Sequence, residues 1–346
     1  MAVKLTEIAE RAGVSVASVS RVLNDKPGVA PSTRQAVLTA IDVLGYERPA
    51  RLRAKGAGLV GLIVPELENP IFPRFAQVVE TSLAQYGYTP VLCTQSLGGV
   101  HEDDYVTTLL DRGVSGIIFI SGIHAIASTD PSRYTALVDA GLPIVLVNGY
   151  LDKVAATFIS NDDHASVDLG IGHLAQLGHT RIGLALGQRR YTPVIRKIEG
   201  FQLAMRRHVD ETLSDAALEE RVECTVFTVE GGASAAETLL DRGVTAIVCG
   251  SDLMALGAIQ TVRRRGLQVP EDVSVVGSDD SKLIEYTDPP LTTVRQAVTA
   301  MGAAAASSLV DQIAGHPVPR NELLYRPELV VRGSTGRAPD ITAQHS

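Results

Sequence analysis

The sequence predicts an α/β protein in which a small helical domain precedes a core of two doubly wound α/β subdomains. Three observations predict this fold class. Three short helical segments occupy the first 46 residues, strand-like and helical segments alternate from residue 59 onward, and the two parts differ in charge. Residues 1–55 hold nine Lys or Arg and five Asp or Glu, a net charge of +4. The whole chain carries −8, so residues 56–346 carry −12.

The first two predicted helices are joined by a tight turn, as in a helix-turn-helix motif. Thr6 is placed to cap the first helix, and Gly13 can adopt the positive φ that ends it. Ser15 is placed to cap a second helix over residues 16–23, which has apolar residues inside and small or polar residues outside. A second helix of this kind lies in the major groove of DNA, where its outward side chains reach base edges or phosphates.

A third helix is predicted to begin at Pro31, because proline suits the first helical position, and to run to Gly45. A three-helix bundle that binds nothing is the alternative interpretation of these segments. The charge distribution favours nucleic acid, because a basic domain attached to an acidic body directs that domain toward phosphates.

Eight strand-like segments are predicted in the rest of the chain, separated by amphipathic helical segments. The strand-like segments are residues 59–64, 89–93, 116–120, 143–147, 181–186, 224–227, 246–249 and 273–276, and the helical ones include 75–86, 165–177, 233–240 and 253–265. This alternation is typical of βαβ units with parallel strands. Because eight strands would overextend one compact sheet, the polar stretch at 160–163 is interpreted as a break between subdomains. The chain is expected to recross near 289–290 and 317–319.

These patterns predict the boundaries of the domains. They are an N-terminal domain at 1–46, a linker at 47–58, a first subdomain at 59–160 and 291–320, and a second subdomain at 161–290 and 321–333. Residues 334–346 are polar and include Gly and Pro, so we expect a disordered tail there.

Composition and motifs argue against several classes of protein. We expect no membrane span, because no apolar run approaches the roughly 20 residues of a membrane helix, and the first residues lack the apolar core of a signal peptide. Cys93, Cys224 and Cys249 are isolated and lack metal-ligand spacing, so reduced thiols, no metal and no cofactor are expected in a cytoplasmic protein. The chain lacks a G-x-G-x-x-G loop after residues 59–64, a Walker loop and a G-x-S-x-G elbow, which argues against an enzyme.

The motifs of the chain resemble those of the LacI-type bacterial repressors, a family that includes the lac and purine repressors. In the N-terminal domain the resemblance rests on LTEIAERAGVS at 5–15 and VSRVLN at 19–24. GLIVP at 61–65, NPIF at 69–72, LGH at 177–179, ALG at 255–257 and PLTTV at 290–294 continue it, in the family's order, over nearly the whole chain. The resemblance implies a periplasmic-binding-protein-like core whose two lobes share three crossovers.

The resemblance also implies which residues contact DNA. Val16 and Ala17 stand at base-reading positions, and Arg21 can reach a guanine or a phosphate. Phosphate contacts are expected from polar residues around the second helix, namely Lys4, Ser15, Ser18, Ser20, Asn24 and Thr33. In the linker, Arg51 and Leu52 match a hinge that enters the minor groove with a Leu wedge, although this linker is about three residues short. A flexible cationic linker is the alternative.

An effector site is expected between the lobes, because ligands of open α/β sheets bind beyond the carboxyl ends of the strands. The positions that match the family's site are Ile71, Phe72, Asn148, Arg196, Lys197, Phe227, Ser251 and Asp279. Three of them depart from the family's pattern: Asn148 stands where an Asp is common, Lys197 replaces an Arg, and Ser251 replaces a frequent Asn. An apolar face beside polar groups suits a sugar, and a nucleobase is the second choice. Alternatively, Asp279 and Asp280 only cap the following turn.

The predicted function is a sequence-specific transcriptional regulator, a repressor, that senses a small molecule. One helix-turn-helix domain reads few base pairs, so we expect a homodimer on a near-palindromic operator in double-stranded DNA. A purine-sensing or nucleoside-sensing regulator of the same fold is the nearest alternative. A secreted solute-binding protein would share the core fold, but it would need an export signal and would have no use for the N-terminal domain.

Substitution of both Val16 and Ala17 is predicted to change which operator is preferred, because apolar groups at these positions contact or exclude thymine methyls. Operators selected from a random DNA pool by the wild-type and doubly substituted proteins would reveal the change. Substitution of Ser18 or Thr33 serves as the control and should weaken all operators about equally. Identical selected operators for the wild type and the Val16/Ala17 variant would contradict the assignment.

Overall fold

A computed structural model of the chain describes residues 5–24, 26, 28–44, 57–95 and 99–339. The predicted DNA contacts of Lys4, Arg51 and Leu52 lie outside these residues. The N-terminal domain and the core form separate compact units and are described one at a time.

The N-terminal domain has the predicted helix-turn-helix. Its helices are α1 (Leu5–Ala12), α2 (Val16–Leu23) and α3 (Pro31–Val43). Gly13 has a φ of 64°, and the Ser15 hydroxyl caps α2 by accepting a hydrogen bond from the Ser18 backbone N–H at 3.1 Å. The expected cap at Thr6 is wrong: α1 already includes Leu5, which packs against the buried core of the domain. That core comprises Ile8, Ala9, Val19, Val22, Leu23, Val37, Ala40 and Ile41.

Lobe one of the core is built on a six-stranded sheet in the order β11-β5-β4-β3-β1-β2 within the described residues. Its strands are β1 (Gly58–Val64), β2 (Tyr88–Thr94), β3 (Gly116–Ile120), β4 (Ile144–Val147), β5 (Thr157–Asn161) and β11 (Glu322–Tyr325). Its helices are α4 (Ile71–Gln85), α5 (Glu102–Asp111), α6 (Ser132–Asp139) and α12 (Val298–Ile313). Helices α4 and α12 pack together, while α5 and α6 share a separate core cluster with the sheet.

Lobe two has a second six-stranded sheet in the order β12-β10-β9-β8-β6-β7, again within the described residues. Its strands are β6 (Ile182–Leu186), β7 (Val222–Cys224), β8 (Ala246–Cys249), β9 (Ser274–Ser278), β10 (Thr292–Arg295) and β12 (Glu328–Val330). Its helices are α7 (Asp163–Gln176), α8 (Thr192–His208), α9 (Asp215–Glu219), α10 (Val229–Asp241) and α11 (Asp252–Arg264). Helices α7 and α8 share one core cluster with the sheet, and α10 and α11 share another.

The predicted fold class is confirmed, but the chain recrosses later than expected. It passes between the lobes after β5, after β10 and after β11. Strand β10 therefore belongs to lobe two, although residues 291–320 were assigned to the first subdomain, and β11 belongs to lobe one, although 321–333 were assigned to the second. The prolines at 289 and 290 mark a turn within lobe two, where Gly333 N–H donates to the Pro290 carbonyl at 2.8 Å.

Four strands were not predicted, and one was misplaced. Strand β5 ends in buried polar residues, while the short β11 and β12 are only partly buried, so none of these three has a continuous apolar run. Strand β10 was not predicted because it begins with two polar threonines, although the structure buries both of them. The segment predicted at 224–227 is wrong at its end, because β7 spans Val222–Cys224 and Phe227 lies in the loop that follows.

The expected disordered tail is also wrong for residues 334–339. Ser334 is fully buried and bridges two strands, because its hydroxyl accepts from Thr292 N–H at 2.8 Å and donates to the Val275 carbonyl at 2.6 Å. Further along, Ala338 N–H donates to the Leu177 carbonyl at 2.9 Å. This segment satisfies backbone groups at the amino ends of β9 and β10 and at the end of α7, a role that its polar composition did not reveal.

His179 joins the same segment to the sheet. Its Nδ1 lies 2.9 Å from the Thr245 hydroxyl, and its Nε2 lies 3.0 Å from the Ser274 hydroxyl and 3.2 Å from the Gly336 carbonyl. Burial lowers the pKa of His179, so the ring is neutral at pH 7.

The free energy of unfolding should fall as the pH drops below about 6.5, because the exposed histidine of the unfolded chain binds a proton that the buried His179 resists. One histidine contributes at most about 1.4 kcal/mol per pH unit. Denaturant unfolding at several pH values should show a shallower dependence for His179→Gln than for the wild type. His316→Gln, which replaces an exposed histidine, is the matched control. Equal pH dependence of His179→Gln and wild type would refute the assignment.

Candidate nucleic-acid interface and ligand cleft

The outer face of α2 carries the proposed base-reading residues. Val16 is 41% exposed, and Ala17 and Arg21 are exposed as well. Val19 and Val22 of the same helix are fully buried against α1 and α3. Helical periodicity therefore separates a packing face from a face that is free to meet DNA.

The proposed phosphate-binding residues of this domain lie at the ends of α2 and on α3. The Ser15 and Ser18 hydroxyls are 2.9 Å apart at the start of α2. At its end, the Asn24 side-chain amide donates to the Ser20 carbonyl at 2.7 Å. Thr33 is half-buried in the first turn of α3. The structure thus brings Ser15, Ser18, Ser20 and Asn24 to one short helix.

In the core, strained backbone conformations gather where three strands end. Ser121 follows β3 with a φ of 47°, and Asn148 follows β4 with a φ of 61°. Asp279 and Asp280 follow β9 with φ values of 111° and 55°. Left-handed conformations in such residues cost energy and cluster at functional sites. These positions mark the carboxyl edges of both sheets as the candidate cleft.

Asp279 lies at the carboxyl end of β9, on the lobe-two side of this cleft. Its carboxylate is 4% exposed, and Oδ1 accepts a hydrogen bond from the Gln296 side-chain amide at 2.7 Å. The Asn69 side chain, which follows β1 in lobe one, lies near enough to Asp279 to act on its pKa in the lowering direction. Burial raises the pKa of Asp279 well above its ordinary value, and the neighbouring charge of Asp252 raises it further.

Asp252 supports the cleft from below. Its Oδ1 accepts from the Thr293 hydroxyl at 2.7 Å, and its Oδ2 accepts from the Ser281 N–H and hydroxyl at 2.7 and 2.8 Å. Burial raises the pKa of this carboxyl to about 6. Gly277 makes room for it, since a Cβ at that position would lie 2.6 Å from Oδ1. Asp252 is therefore saturated by protein donors and holds the loop that carries Asp279.

Asp280 points into a cluster of arginines. Its carboxylate pairs with Arg295 Nε at 2.6 Å and with Arg332 Nη2 at 2.7 Å. Although burial opposes the effect, Arg332 and Arg295 hold the pKa of Asp280 below its usual value. From lobe one, Arg74 of α4 donates to the Asp280 carbonyl at 3.3 Å. The strained pair at 279–280 is thus held by both lobes.

The two cations of the predicted site already have protein partners. Arg196 donates to both carboxylate oxygens of Glu322 at 2.7 and 2.9 Å, which joins α8 of lobe two to β11 of lobe one. Lys197 pairs with Asp163 at the start of α7. Because its charge also acts on Asp279, Lys197 is the cation that the structure brings near the central carboxylate.

The aromatic side of the cleft rests on glycines. A Cβ at Gly187 would lie 2.1 Å from the Phe227 ring, and one at Gly250 would lie 3.0 Å from it. The ring therefore lies against the glycines that follow β6 and β8. Across the cleft, Ile71 begins α4 and is 5% exposed, and the next residue, Phe72, is half-buried.

Ser251 acts as a helix cap in the structure, and Asn69 and Gln296 are two further polar residues near Asp279. The Ser251 hydroxyl caps α11 by accepting from the Met254 N–H at 3.2 Å. Sequence analysis did not place Asn69 or Gln296 in the site. Asn69 could have been found, because it opens the N-P-I-F motif after β1, whereas Gln296 follows a strand that was not predicted.

Within the described ranges there is neither a candidate metal site nor a helix that could cross a membrane. Among them, no group of three or more His, Cys, Asp or Glu side chains is arranged to hold a metal ion. In the same ranges, each helix is too short or too polar to span a bilayer.

Comparisons with known proteins agree along the whole chain. A family model described as bacterial regulatory proteins, lacI family, matches residues 4–49, and a periplasmic binding protein-like domain matches residues 171–335. The HTH-type transcriptional regulator reg1 of Streptomyces lividans is 57% identical over 339 residues, which cover 98% of each chain. The HTH-type transcriptional regulator MalR of Streptomyces coelicolor is 56% identical with the same coverage.

Solved structures of the same fold include ligand and DNA complexes. The transcriptional regulator CelR–cellobiose complex has a TM-score of 0.71 and 31% identity, over 96% of this chain and 100% of that one. The lac repressor dimer bound to operator and the anti-inducer ONPF has a TM-score of 0.69 and 28% identity, over 97% and 100%. A transcriptional regulator from Enterococcus faecium with bound ribose has a TM-score of 0.70 and 26% identity, over 80% and 98%.

Proposed function

We propose, because this chain belongs to the lacI family of bacterial regulatory proteins, that a small saccharide bound between its two lobes controls its affinity for operator DNA. Family membership makes the chain a DNA-binding transcriptional regulator and not an enzyme. We infer that it acts in the cytoplasm as a repressor, with α2 reading the operator and the cleft receiving the effector.

The position of Asp279 is the observation that carries the proposal. A buried carboxylate needs strong donors, and sugar hydroxyls supply them in pairs. Asp279 accepts from Gln296 beside a crossover and lies near Asn69 of lobe one, so a ligand on Asp279 would compete with polar groups from both sides of the cleft. Such a ligand changes the relative stability of two lobe arrangements only through contacts that differ between them.

A saccharide fits the remaining side chains of the cleft. The Phe227 ring offers a flat apolar face, and Asn148 offers an amide at the carboxyl end of β4. Apolar faces beside a few fixed polar groups are how proteins hold sugar rings. The cellobiose and ribose complexes of related regulators support this ligand class.

The proposal is tested with purified protein, an operator fragment and a ligand panel. The panel contains cellobiose, ribose, other mono- and disaccharides, and nucleosides. We expect the protein to retard the operator fragment, and at least one saccharide to raise the melting temperature and change operator affinity. Stabilisation by a nucleoside alone would replace the saccharide with a nucleobase, and failure to bind any operator would overturn the proposal.

Asp279→Ala is predicted to weaken binding of the active saccharide about 10- to 100-fold, because it removes a hydrogen-bonding carboxylate. Operator affinity without effector should stay close to wild type. Calorimetric titration with the saccharide and operator retardation measure the two properties. An unchanged saccharide affinity would place the effector elsewhere.

Two variants control for damage to the fold. Asp279→Asn keeps the shape of the side chain, so its melting temperature should decrease less from the wild-type value than that of Asp279→Ala. Asp139→Ala removes an exposed carboxylate at the end of α6 and should change neither property. Loss of operator binding together with loss of effector binding would identify misfolding as the cause.

Homodimerisation is the second part of the proposal. In lobe two, Leu283 is 74% exposed and Tyr286 is 80% exposed, so two large apolar groups stand together in the turn before β10. Exposed apolar groups of this size mark contact surfaces. The lac repressor dimer bound to operator supports a second copy of this chain as the partner.

The double variant Leu283→Asp/Tyr286→Asp is predicted to be monomeric, because it places charges in the dimer contact. Its operator affinity should fall about 100-fold or more, since two linked domains bind DNA with a high effective concentration. Sedimentation velocity gives the mass. Leu203→Asp, which changes another exposed apolar residue on α8, is the matched control and should remain dimeric. A dimeric double variant would exclude this surface as the interface.

A further inference from the structure

The lobes are joined by backbone pairing at a point that the proposed effector site does not use. Ile126, in the loop after β3 of lobe one, forms an isolated antiparallel bridge with Tyr191, which precedes α8 of lobe two. The Ala127 N–H donates to the Arg190 carbonyl at 2.9 Å. Residues 126–127 and 190–191 are called the latch below.

The lobe-one half of the latch is held by a buried polar cluster. Ile123 N–H donates to Glu102 Oε2 at 3.0 Å, and His124 N–H donates to the Tyr134 hydroxyl oxygen at 2.9 Å. The Tyr134 hydroxyl in turn donates to Glu102 Oε1 at 2.5 Å. Glu102, His124 and Tyr134 are at most 1% exposed. The loop therefore presents residues 126–127 in a fixed position.

The lobe-two half is fixed by the start of α8. The Tyr191 carbonyl accepts from Val194 N–H at 3.0 Å and from Ile195 N–H at 3.1 Å. The Tyr191 side chain packs against the core cluster shared by α7 and α8, and the Arg190 guanidinium lies 5.1 Å from the centre of its ring. Both halves of the latch are thus parts of rigid elements.

The latch shares one side of the cleft with a second contact between the lobes. Its loops belong to the α5/α6 layer of lobe one and the α7/α8 layer of lobe two. Helix α8 also carries Arg196, whose bidentate pair with Glu322 reaches the crossover strand β11. The ion pair lies at β11, at one edge of the lobe-one sheet. The latch loops follow β3 and β6, which lie three strands from β11 and four strands from β12 in their sheets. The ion pair therefore closes this side near the crossovers, and the latch closes it farther away.

We propose that the latch closes this side of the cleft in the effector-free protein, so that the effector enters and leaves only when Ile126–Ala127 separates from Arg190–Tyr191. Ile126 and Ala127 are then positioning residues, because they hold the lobes without touching the ligand. The role in ligand exchange rests on the proposed function. Closure of the latch does not, and it is tested without any ligand.

The test is a disulfide across the latch. The hydrogen bond from Ala127 to Arg190 makes Ile126 and Tyr191 a non-hydrogen-bonded antiparallel pair, whose Cα atoms lie about 4.5 Å apart. This separation suits a disulfide. In full-length Ile126→Cys/Tyr191→Cys, oxidation without effector should yield one internal crosslink in most molecules. The single variants, which retain Cys93, Cys224 and Cys249, should not form it. Absence of the crosslink would overturn the proposal.

The contribution of the backbone hydrogen bond is tested by changing Ala127 in the same double-cysteine protein. Ala127→Pro removes the N–H donor, and the preceding Ile126 has φ −83° and ψ 117°, a conformation that tolerates a following proline. Ala127→Ser keeps the donor at this exposed position and is the matched control. The crosslink should form roughly two- to tenfold more slowly in the proline variant, as expected for loss of one hydrogen bond. Equal rates in both variants would show that the bond does not hold the latch closed.

Ligand exchange is followed with cellobiose and the other sugars of the panel that bind the wild type. The crosslinked protein should fail to take up such a sugar, and should release a sugar bound beforehand only after reduction by dithiothreitol. Unchanged uptake by the crosslinked protein would show another way into the cleft and refute the latch as a gate. If no sugar binds the wild type, the proposed effector class fails, while the crosslinking result still decides whether the latch is closed.

Discussion

Burial of the Asp279 carboxylate is the constraint around which the cleft is organised. Removing a carboxylate from water is costly unless donors or cations replace the water, and the polar groups that act on Asp279 come from separate parts of the chain. Asn69 belongs to lobe one, and Gln296 lies where the chain leaves lobe two. The lobe arrangement therefore determines which polar groups face this carboxyl group.

The backbone around the cleft is also strained, which adds a conformational cost to the cost of burying the carboxylate. The positive φ angles at Ser121, Asn148 and Asp279 all occur directly after buried strands, whose hydrogen bonds hold them in place. Ser121 also opens the loop that reaches the latch. The carboxyl ends of the strands therefore position both the proposed ligand-facing groups and the loop that joins the lobes.

Features that depend on neighbouring residues could be predicted from the sequence. Gly13 and Pro31 act through their own backbone conformation and Ser15 through a hydroxyl that caps the helix three residues on, so the helix-turn-helix could be placed closely. The exchange of β10 and β11 between the lobes could not, because partners far along the chain determine which sheet accepts a short polar strand.

The candidate site divides in the same way. Asp279 and Asn148 follow strands with clear apolar runs, so their placement at the sheet edges could be predicted from the sequence. The cross-lobe pair of Arg196 with Glu322 could not be predicted, because it depends on where β11 lies. Ser334 is similar, since a polar residue in a polar stretch reveals nothing of the strands it bridges.

The late crossovers have a consequence for synthesis on the ribosome. Strand β11 completes the lobe-one sheet, and β10, β12 and the segment at 334–338 complete the lobe-two sheet, so both lobes wait for the last sixth of the chain. The buried core residues that the structure describes in the N-terminal domain all belong to its three helices, so this domain can fold as soon as the helices emerge. Before these late strands are made, a nascent chain therefore presents a finished DNA-binding domain attached to two unfinished sheets with open edges. Strand edges of the core therefore stay open during synthesis after the apolar core of the N-terminal domain is already covered.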